Sequence, residues 1–318
     1  MHRLRSNFAG RVSRIGSALE QRGVRATYEL HDRVFANAGA RRRFAHLEPA
    51  LDDLQQRIVD QVRADGYSVL RFSDLFPDPA TWAELEASAG RFIAEVEEGL
   101  RREAAGQHPP VLRRRVGKEF VIRRNSYGVT LGFDDPWLRL ATDRRMLDIA
   151  NVYHGLLSKL EYVDLWYTPP VPEGTPRQAS QNWHRDFNDR HLLKAFIYLV
   201  DVDSDGGPFE HVPGTEPGGA HSDKWPWRPL GNNYPPADEF DPWLAEHPAK
   251  TFTGPKGTML FCNTAGIHRG GLSTGNPRVL ATFTYDSAAA LKALSQRNFE
   301  VSGGNGHEHD EVVRYALS

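Results

Sequence analysis

Gly257-Thr258-Met259-Leu260-Phe261-Cys262-Asn263 is followed by the turn Thr264-Ala265-Gly266 and by His268. After a second turn, Ser273-Thr274-Gly275-Asn276-Pro277, comes Arg278-Val279-Leu280-Ala281-Thr282-Phe283-Thr284-Tyr285. Both apolar runs are strand-sized, rich in β-branched and aromatic residues, and bounded by turn formers, which predicts two strands and not a helix. A connection of this length can return Arg278 alongside the approach to His268. Along the second run Arg278, Thr282 and Thr284 share one face, because side chains alternate along a strand.

Working outward, the same texture recurs at 161–167, 180–187, 192–202 and 208–212. Short strands at this spacing, separated by Gly, Pro, Asn and Asp, predict a sandwich or barrel and not a parallel βαβ sheet. Upstream, Leu51, Leu54, Ile58 and Val62 fall on one helical face, with Asp65-Gly66 as the stop. Asp78-Pro79 opens a second helix, and a third is predicted over 147–160. Residues 214–250 form a long Pro/Trp/Gly-rich insert, and a loop of that length is expected to be a functional lid.

The segment Ser180-Gln181-Asn182-Trp183-His184-Arg185-Asp186-Phe187 carries the first chemical signal. If it is a strand, His184 and Asp186 project side by side. H-x-D alone is common; His268 gives it meaning. Two His and one carboxylate on one face of an octahedral metal form the facial triad of non-haem Fe(II) oxygenases, which leaves three positions open. A keto acid can take two of them and O2 the third. The keto acid's distal carboxylate then needs a bidentate cation, and Arg278, ten residues beyond His268, is suited to it.

H-x-D, then H, then R ten residues on resembles the 2-oxoglutarate/Fe(II)-dependent dioxygenases. Trp183-His184-Arg185-Asp186, Leu193-Lys194-Ala195-Phe196-Ile197-Tyr198-Leu199, Gly207-Pro208-Phe209-Glu210-His211-Val212-Pro213-Gly214 and His268-Arg269-Gly270-Gly271 resemble the phytanoyl-CoA dioxygenase (PhyH-like) branch. The resemblance runs from about residue 50 to 286. It implies a mainly β protein with flanking helices, built on a double-stranded β-helix (jelly-roll, cupin-like) core. It implies that His184, Asp186 and His268 are the catalytic iron ligands and that Arg278 binds 2-oxoglutarate. The pattern departs at Thr215-Glu216, where the family often has Ser-His, and in the length of the insert. A carboxylate at Asp186 favours oxygenation, since halogenases on this scaffold place a small residue there.

Three further residues are candidates for the co-substrate pocket. Lys194 shares a face with Phe196 and Tyr198, opposite Leu193, Ala195, Ile197 and Leu199, and would contact 2-oxoglutarate or an acidic substrate group unless it is a snorkelling rim lysine. Asn182 would line the pocket or cap a turn. Thr282 would face the pocket or the core. Asp164 would orient a metal His or sit at an edge. Arg123 and Arg124 are candidates for a substrate anion. His211 and His221 fall outside the ligand set, and His307-Glu308-His309-Asp310 reads as a solvated tail.

The composition agrees with this reading and narrows it. The chain has 318 residues, 25% charged, with a net charge of -2, which argues against a dedicated nucleic-acid binder. Cys262 is the only cysteine, so any metal ligands must be nitrogen and oxygen. No run approaches the ~20 apolar residues of a membrane span. Residues 1–50 carry ten Arg and four acids, as a basic helical or flexible segment. Organelle import through that segment is the alternative to a cytoplasmic location. The expected organisation is 1–50, a 51–290 oxygenase domain, and a 291–318 tail. The expected activity is hydroxylation of a small-molecule substrate with Fe(II), 2-oxoglutarate and O2, releasing succinate and CO2. Two rivals share the pattern: a cupin-like metal enzyme of isomerase type, and a non-catalytic binding protein on the same fold.

Overall fold

The computed structural model describes residues 27–107, 112–115, 118–125, 128–229, 234–291, 297–302 and 310–318. The chain enters through a π-helical turn, His31–Ala36, and α1, Ala38–Leu47. Helix α2, Asp53–Asp65, starts on a capping box: Gln55 N–H donates to the Asp52 carboxylate at 2.8 Å, and Asp52 N–H to Gln55 Oε1 at 3.1 Å. It stops at Gly66, which is left-handed at φ 81°. A Cβ at Gly66 would lie 2.6 Å from both Glu216 Oε2 and His211 Cε1, so the turn needs glycine for space as well as for backbone angle.

Strand β1, Tyr67–Arg71, follows, then the short α3, Phe72–Leu75, and the long α4, Pro79–Ala104. Asp78 caps α4, with Pro at its first turn where no amide is needed. Strands β2 (Arg113–Arg115), β3 (Lys118–Arg123) and β4 (Val129–Leu131) lead into α5, Pro136–Thr142, and α6, Arg144–His154. The predicted 147–160 helix therefore ends early. Gly155 terminates it in the left-handed region, and Leu160 already belongs to β5, Lys159–Thr168.

The remaining strands are β6 (Leu193–Tyr198), β7 (Phe209–His211), β8 (Lys250–Phe252), β9 (Thr258–Cys262), β10 (His268–Gly270), β11 (Arg278–Asp286) and β12 (Phe299–Val301). Seven strands form one sheet in the order β1-β9-β6-β11-β5-β3-β2, and every pairing is antiparallel. Strands β10-β7-β8 form a second antiparallel sheet, and β12 pairs with β4 in parallel. The fold is a jelly-roll with flanking helices.

Alternation explains the layers. One face of the large sheet carries Ala195, Ile197, Met259, Phe261, Val279, Ala281 and Phe283, which pack on Ile58, Val62, Leu85, Trp137 and Met146 of the helices. Fully burying each such large side chain contributes roughly 1.5–3 kcal/mol. The other face carries Phe196, Tyr198, Leu260, Cys262 and Leu280, which meet Phe209 and Phe252 of the small sheet. Lys194, two residues before Phe196, shares that inner face.

Segment 180–187, expected as a strand, is not one. Ala179–Gln181 is a single 3-10 turn, and only an isolated bridge at His184 follows. The described part of the insert is also more than a loop. It contains α7, Ala237–Glu246, held by a cluster of Trp225, Phe240 and Trp243 against Trp183. Near the C-terminus, α8, Glu311–Leu317, buries Val312, Val313, Ala316 and Leu317 in the helical core. Residues 1–26 and 307–309 lie outside the described residues. Among the described residues no helix is long and apolar enough to cross a membrane.

Candidate metal centre

One isolated bridge builds the centre. His184 N–H donates to the His268 carbonyl at 3.0 Å, and His268 N–H to the His184 carbonyl at 2.9 Å. Opposed residues in an antiparallel pair project from the same face, so the two rings come together with centroids 4.3 Å apart. Asp186, two residues on, is fixed by its own N–H to the Thr264 carbonyl at 2.9 Å. Its carboxylate lies on the same side, with Oδ1 3.9 Å from His184 Nε2 and Oδ2 3.7 Å from His268 Nε2. One ligand atom from each of the three lies within 4.8 Å of the others. Ligands at right angles on a metal with ~2.1 Å bonds sit about 3 Å apart, so a small contraction would close this set on an ion.

The outer nitrogens set the tautomers. His184 Nδ1 lies 2.9 Å from the Asn182 carbonyl, and His268 Nδ1 lies 3.0 Å from the Gly266 carbonyl. A carbonyl only accepts, so both Nδ1 atoms carry the proton and both Nε2 lone pairs point inward. Burial pushes His184 down to about 4 and His268 well below its usual value, so both imidazoles are neutral at pH 7. Burial alone would raise the Asp186 carboxyl, but Lys194 and the two imidazoles outweigh it and hold it well below the carboxylate range. Two neutral imidazoles and one carboxylate are the donor state that a divalent cation requires. The residues therefore fit the metal.

Lys194 Nζ lies 2.6 Å from Asp186 Oδ2. The lysine faces into the barrel, and its partner here is the carboxylate of the triad. Arg278 is buried on β11 opposite Thr168 of β5. It donates to the Gly207 carbonyl, its Nε has no hydrogen-bond partner, and it forms no ion pair among the described residues. A Cβ at Gly270 would come within 3.1 Å of Arg278 Nη2, so the bare glycine leaves the guanidinium its room. A buried cation without an anion fits a carboxylate ligand. Thr282 is buried on the same face, and among the described residues its hydroxyl has no hydrogen-bond partner.

The other candidates lie elsewhere or contribute differently. The Asn182 side chain is exposed and reaches only the Arg177 carbonyl at 3.4 Å; what it gives the centre is its own carbonyl. Asp164 orients Arg123 at 2.7 Å and the Asn125 N–H at 2.9 Å, not a metal His. Arg124 pairs with Asp135 at 2.9 Å. His221 packs on Trp243 and His247 in the insert. Cys262 is a buried apolar neighbour whose thiol burial pushes up.

Two residues at the centre, Tyr234 and Trp227, had no sequence signal. The Tyr234 ring lies over His184, 5.8 Å away at 27°, and is half-exposed. The Trp227 indole donates to the Asp186 carbonyl at 3.1 Å. Arg185 points away from the triad and ties two loops together through the Ala265 carbonyl at 2.6 Å and the Thr215 carbonyl.

No protein-family model matches the chain, and no curated protein matches it in sequence. Solved structures do. EctD from S. alaskensis with bound Fe aligns at TM-score 0.51 and 19% identity, covering 79% of this chain and 83% of that one. EctD from S. alaskensis with 2-oxoglutarate and 5-hydroxyectoine aligns at 0.51 and 21%, covering 75% and 79%. The epimerase SnoN in complex with Fe3+, alpha ketoglutarate and nogalamycin RO aligns at 0.49 and 21%, covering 73% and 83%. At these identities the EctD alignments establish a shared fold.

Proposed function

We propose that this chain is an Fe(II)- and 2-oxoglutarate-dependent dioxygenase of the PhyH-like branch that hydroxylates a small molecule. The observation that carries the reading is the convergence of His184, Asp186 and His268, with both Nε2 lone pairs aimed at one point. EctD, which shares the fold, is known with bound Fe and with 2-oxoglutarate, and this supports the choice of metal and co-substrate. The chemistry such a metal and co-substrate supply is O2-driven oxidation of a substrate C–H bond, with 2-oxoglutarate converted to succinate and CO2.

Each residue then has a task. His184, Asp186 and His268 hold the ion by one face and leave the other open. Lys194 keeps Asp186 ionised and takes one of its oxygens, directing the other toward the ion. Arg278 binds the distal carboxylate of 2-oxoglutarate inside the barrel, where its lack of an ion-pair partner and the Gly270 gap receive it. Thr282, buried on the same strand face with no hydrogen-bond partner for its hydroxyl among the described residues, is a further candidate for the co-substrate pocket. The insert 214–250 is the lid, and its Tyr234 ring lies over His184.

Anaerobic addition of 2-oxoglutarate to the Fe(II)-loaded protein tests the reading. A visible metal-to-ligand charge-transfer band, absent in Asp186→Ala, is the expected result. No band, together with no Fe(II)-dependent succinate release over a broad substrate panel, would overturn it.

A further inference from the structure

The loop that follows Asp186 is held from outside the barrel by residues that the proposed chemistry does not use. Trp227, from the insert, donates its indole N–H to the Asp186 carbonyl. Its ring packs against Tyr28, with centroids 5.0 Å apart. Tyr28 belongs to the N-terminal segment, is 5% exposed, and donates its phenol to Asp189 Oδ1 at 2.7 Å. Asp189 is fully buried and also accepts from Ser287 N–H at 2.8 Å, just past the end of β11.

The next two residues make further contacts with the same segment. Arg190 pairs with Asp32 at 2.7 Å and with Glu29. His191 Nε2 lies 3.1 Å from Asp32 Oδ2. Asp32 is fully buried, and Asn37 donates to it at 2.6 Å. A buried carboxylate is strongly unfavourable unless paired, so this contact has one specific register and is not general surface adhesion. Three consecutive residues, 189 to 191, thus dock on the segment beginning at Tyr28. The chain of contact from Tyr28 through Trp227 ends on the backbone of a metal ligand.

We propose that Tyr28 and Trp227 are positioning residues for the metal centre. The N-terminal segment acts through them to fix the Asp186 backbone, and so the direction of its carboxylate toward His184 and His268. The same pair sets the height of the insert, and of Tyr234, above His184. The inference rests on the reading of the triad as a metal site.

Full-length protein with Co2+ as the probe tests it, because the visible absorption of Co2+ reports ligand geometry. Trp227→Phe keeps an aromatic ring against Tyr28 and removes the N–H; Tyr28→Ala removes the ring beneath it. Each is expected to raise the Co2+ Kd about tenfold, as for other partners of metal ligands, and to shift the visible spectrum; the thermal midpoint holds in Trp227→Phe and falls in Tyr28→Ala, which also costs the buried Asp189 its phenol partner. The double variant is expected to be no worse than either single one, since both act through one carbonyl. An unchanged Kd and spectrum in both single variants would overturn the inference. So would a change seen only where the thermal midpoint has dropped. If wild type fails to bind Co2+, or Asp186→Ala binds as well as wild type, the metal reading itself falls and takes the inference with it.

Discussion

Lys194 and Asp186 form an ion pair of 2.6 Å inside the barrel, beside two neutral imidazoles. The lysine is the largest attractive influence on that carboxylate. It comes from β6 in the large sheet, whereas Asp186 lies on the connection before that strand. The pair thus couples the ligand loop to the rigid sheet.

Lys194→Met should therefore change the pH range of metal binding more than its strength. A carboxyl whose value is depressed keeps its charge to low pH; without Lys194 the largest influence opposing burial is gone and the value rises. Divalent-metal affinity at pH 7.5 should stay within about threefold of wild type, and at pH 5 it should fall by tenfold or more. Calorimetric titration at the two pH values checks this, and equal losses at both would count against it.

The imidazoles predict a flat profile in the wild type. His184 is held down at about 4 by burial, so no proton need leave it above pH 5.5. Metal affinity should vary little between pH 7.5 and 5.5, where ordinary imidazoles with values near 6.5 would already lose ligand character. Co2+ titrations across that range, or NMR of the ring protons, measure it directly.

Arg278 predicts a separation of metal from co-substrate. Arg278→Ala should leave Co2+ binding unchanged and raise the 2-oxoglutarate Kd by about 30–100-fold, the loss of one charge-assisted bidentate contact of roughly 2–3 kcal/mol. Arg278→Lys should recover only part of this, because an ammonium cannot reproduce the planar fork. An isomerase-type cupin with no keto acid would show no such separation.

Glu216 predicts a stability change with pH. Burial pushes its carboxyl up to about 7, close to Arg185 and far above the ordinary value of 4.5. Between about 4.5 and 7 the native state then binds a proton that the unfolded chain has released, so stability falls as pH rises through that window. The fall corresponds to roughly 3 kcal/mol. Glu216→Gln should be more stable than wild type at pH 8 by about 2–3 kcal/mol and nearly equal to it at pH 4.5. Urea unfolding at both pH values decides it; a variant weaker at pH 8 would refute the assignment.

Much of the fold was legible because it follows local rules. The helix over residues 53–65 was marked by an apolar stripe and by Asp65-Gly66 as its stop, and it formed within a residue or two of its expected position. Lys194, Phe196 and Tyr198 share a face because strand alternation forces it. The errors came where partners, not patterns, decide. Segment 180–187 looked strand-like, yet only His184 finds a partner, so one bridge forms and no ladder. Helix α7 was hidden because Pro236 and Pro242 suggest a loop; Pro236 precedes the first helical residue, and Pro242 is accommodated within the helix.

The sequence by itself determined which donor atoms the centre can use. One cysteine excludes thiolate clusters, and His184, Asp186, His268 and Arg278 carry their chemistry wherever they are placed. Only the tertiary structure decided that three of them meet at one point, that Lys194 pairs with Asp186, and that Tyr28 reaches the centre through Trp227. The reason is physical. Residue type and short-range periodicity are properties of neighbours along the chain, whereas convergence depends on which distant backbone groups pair and which side chains lose their water together.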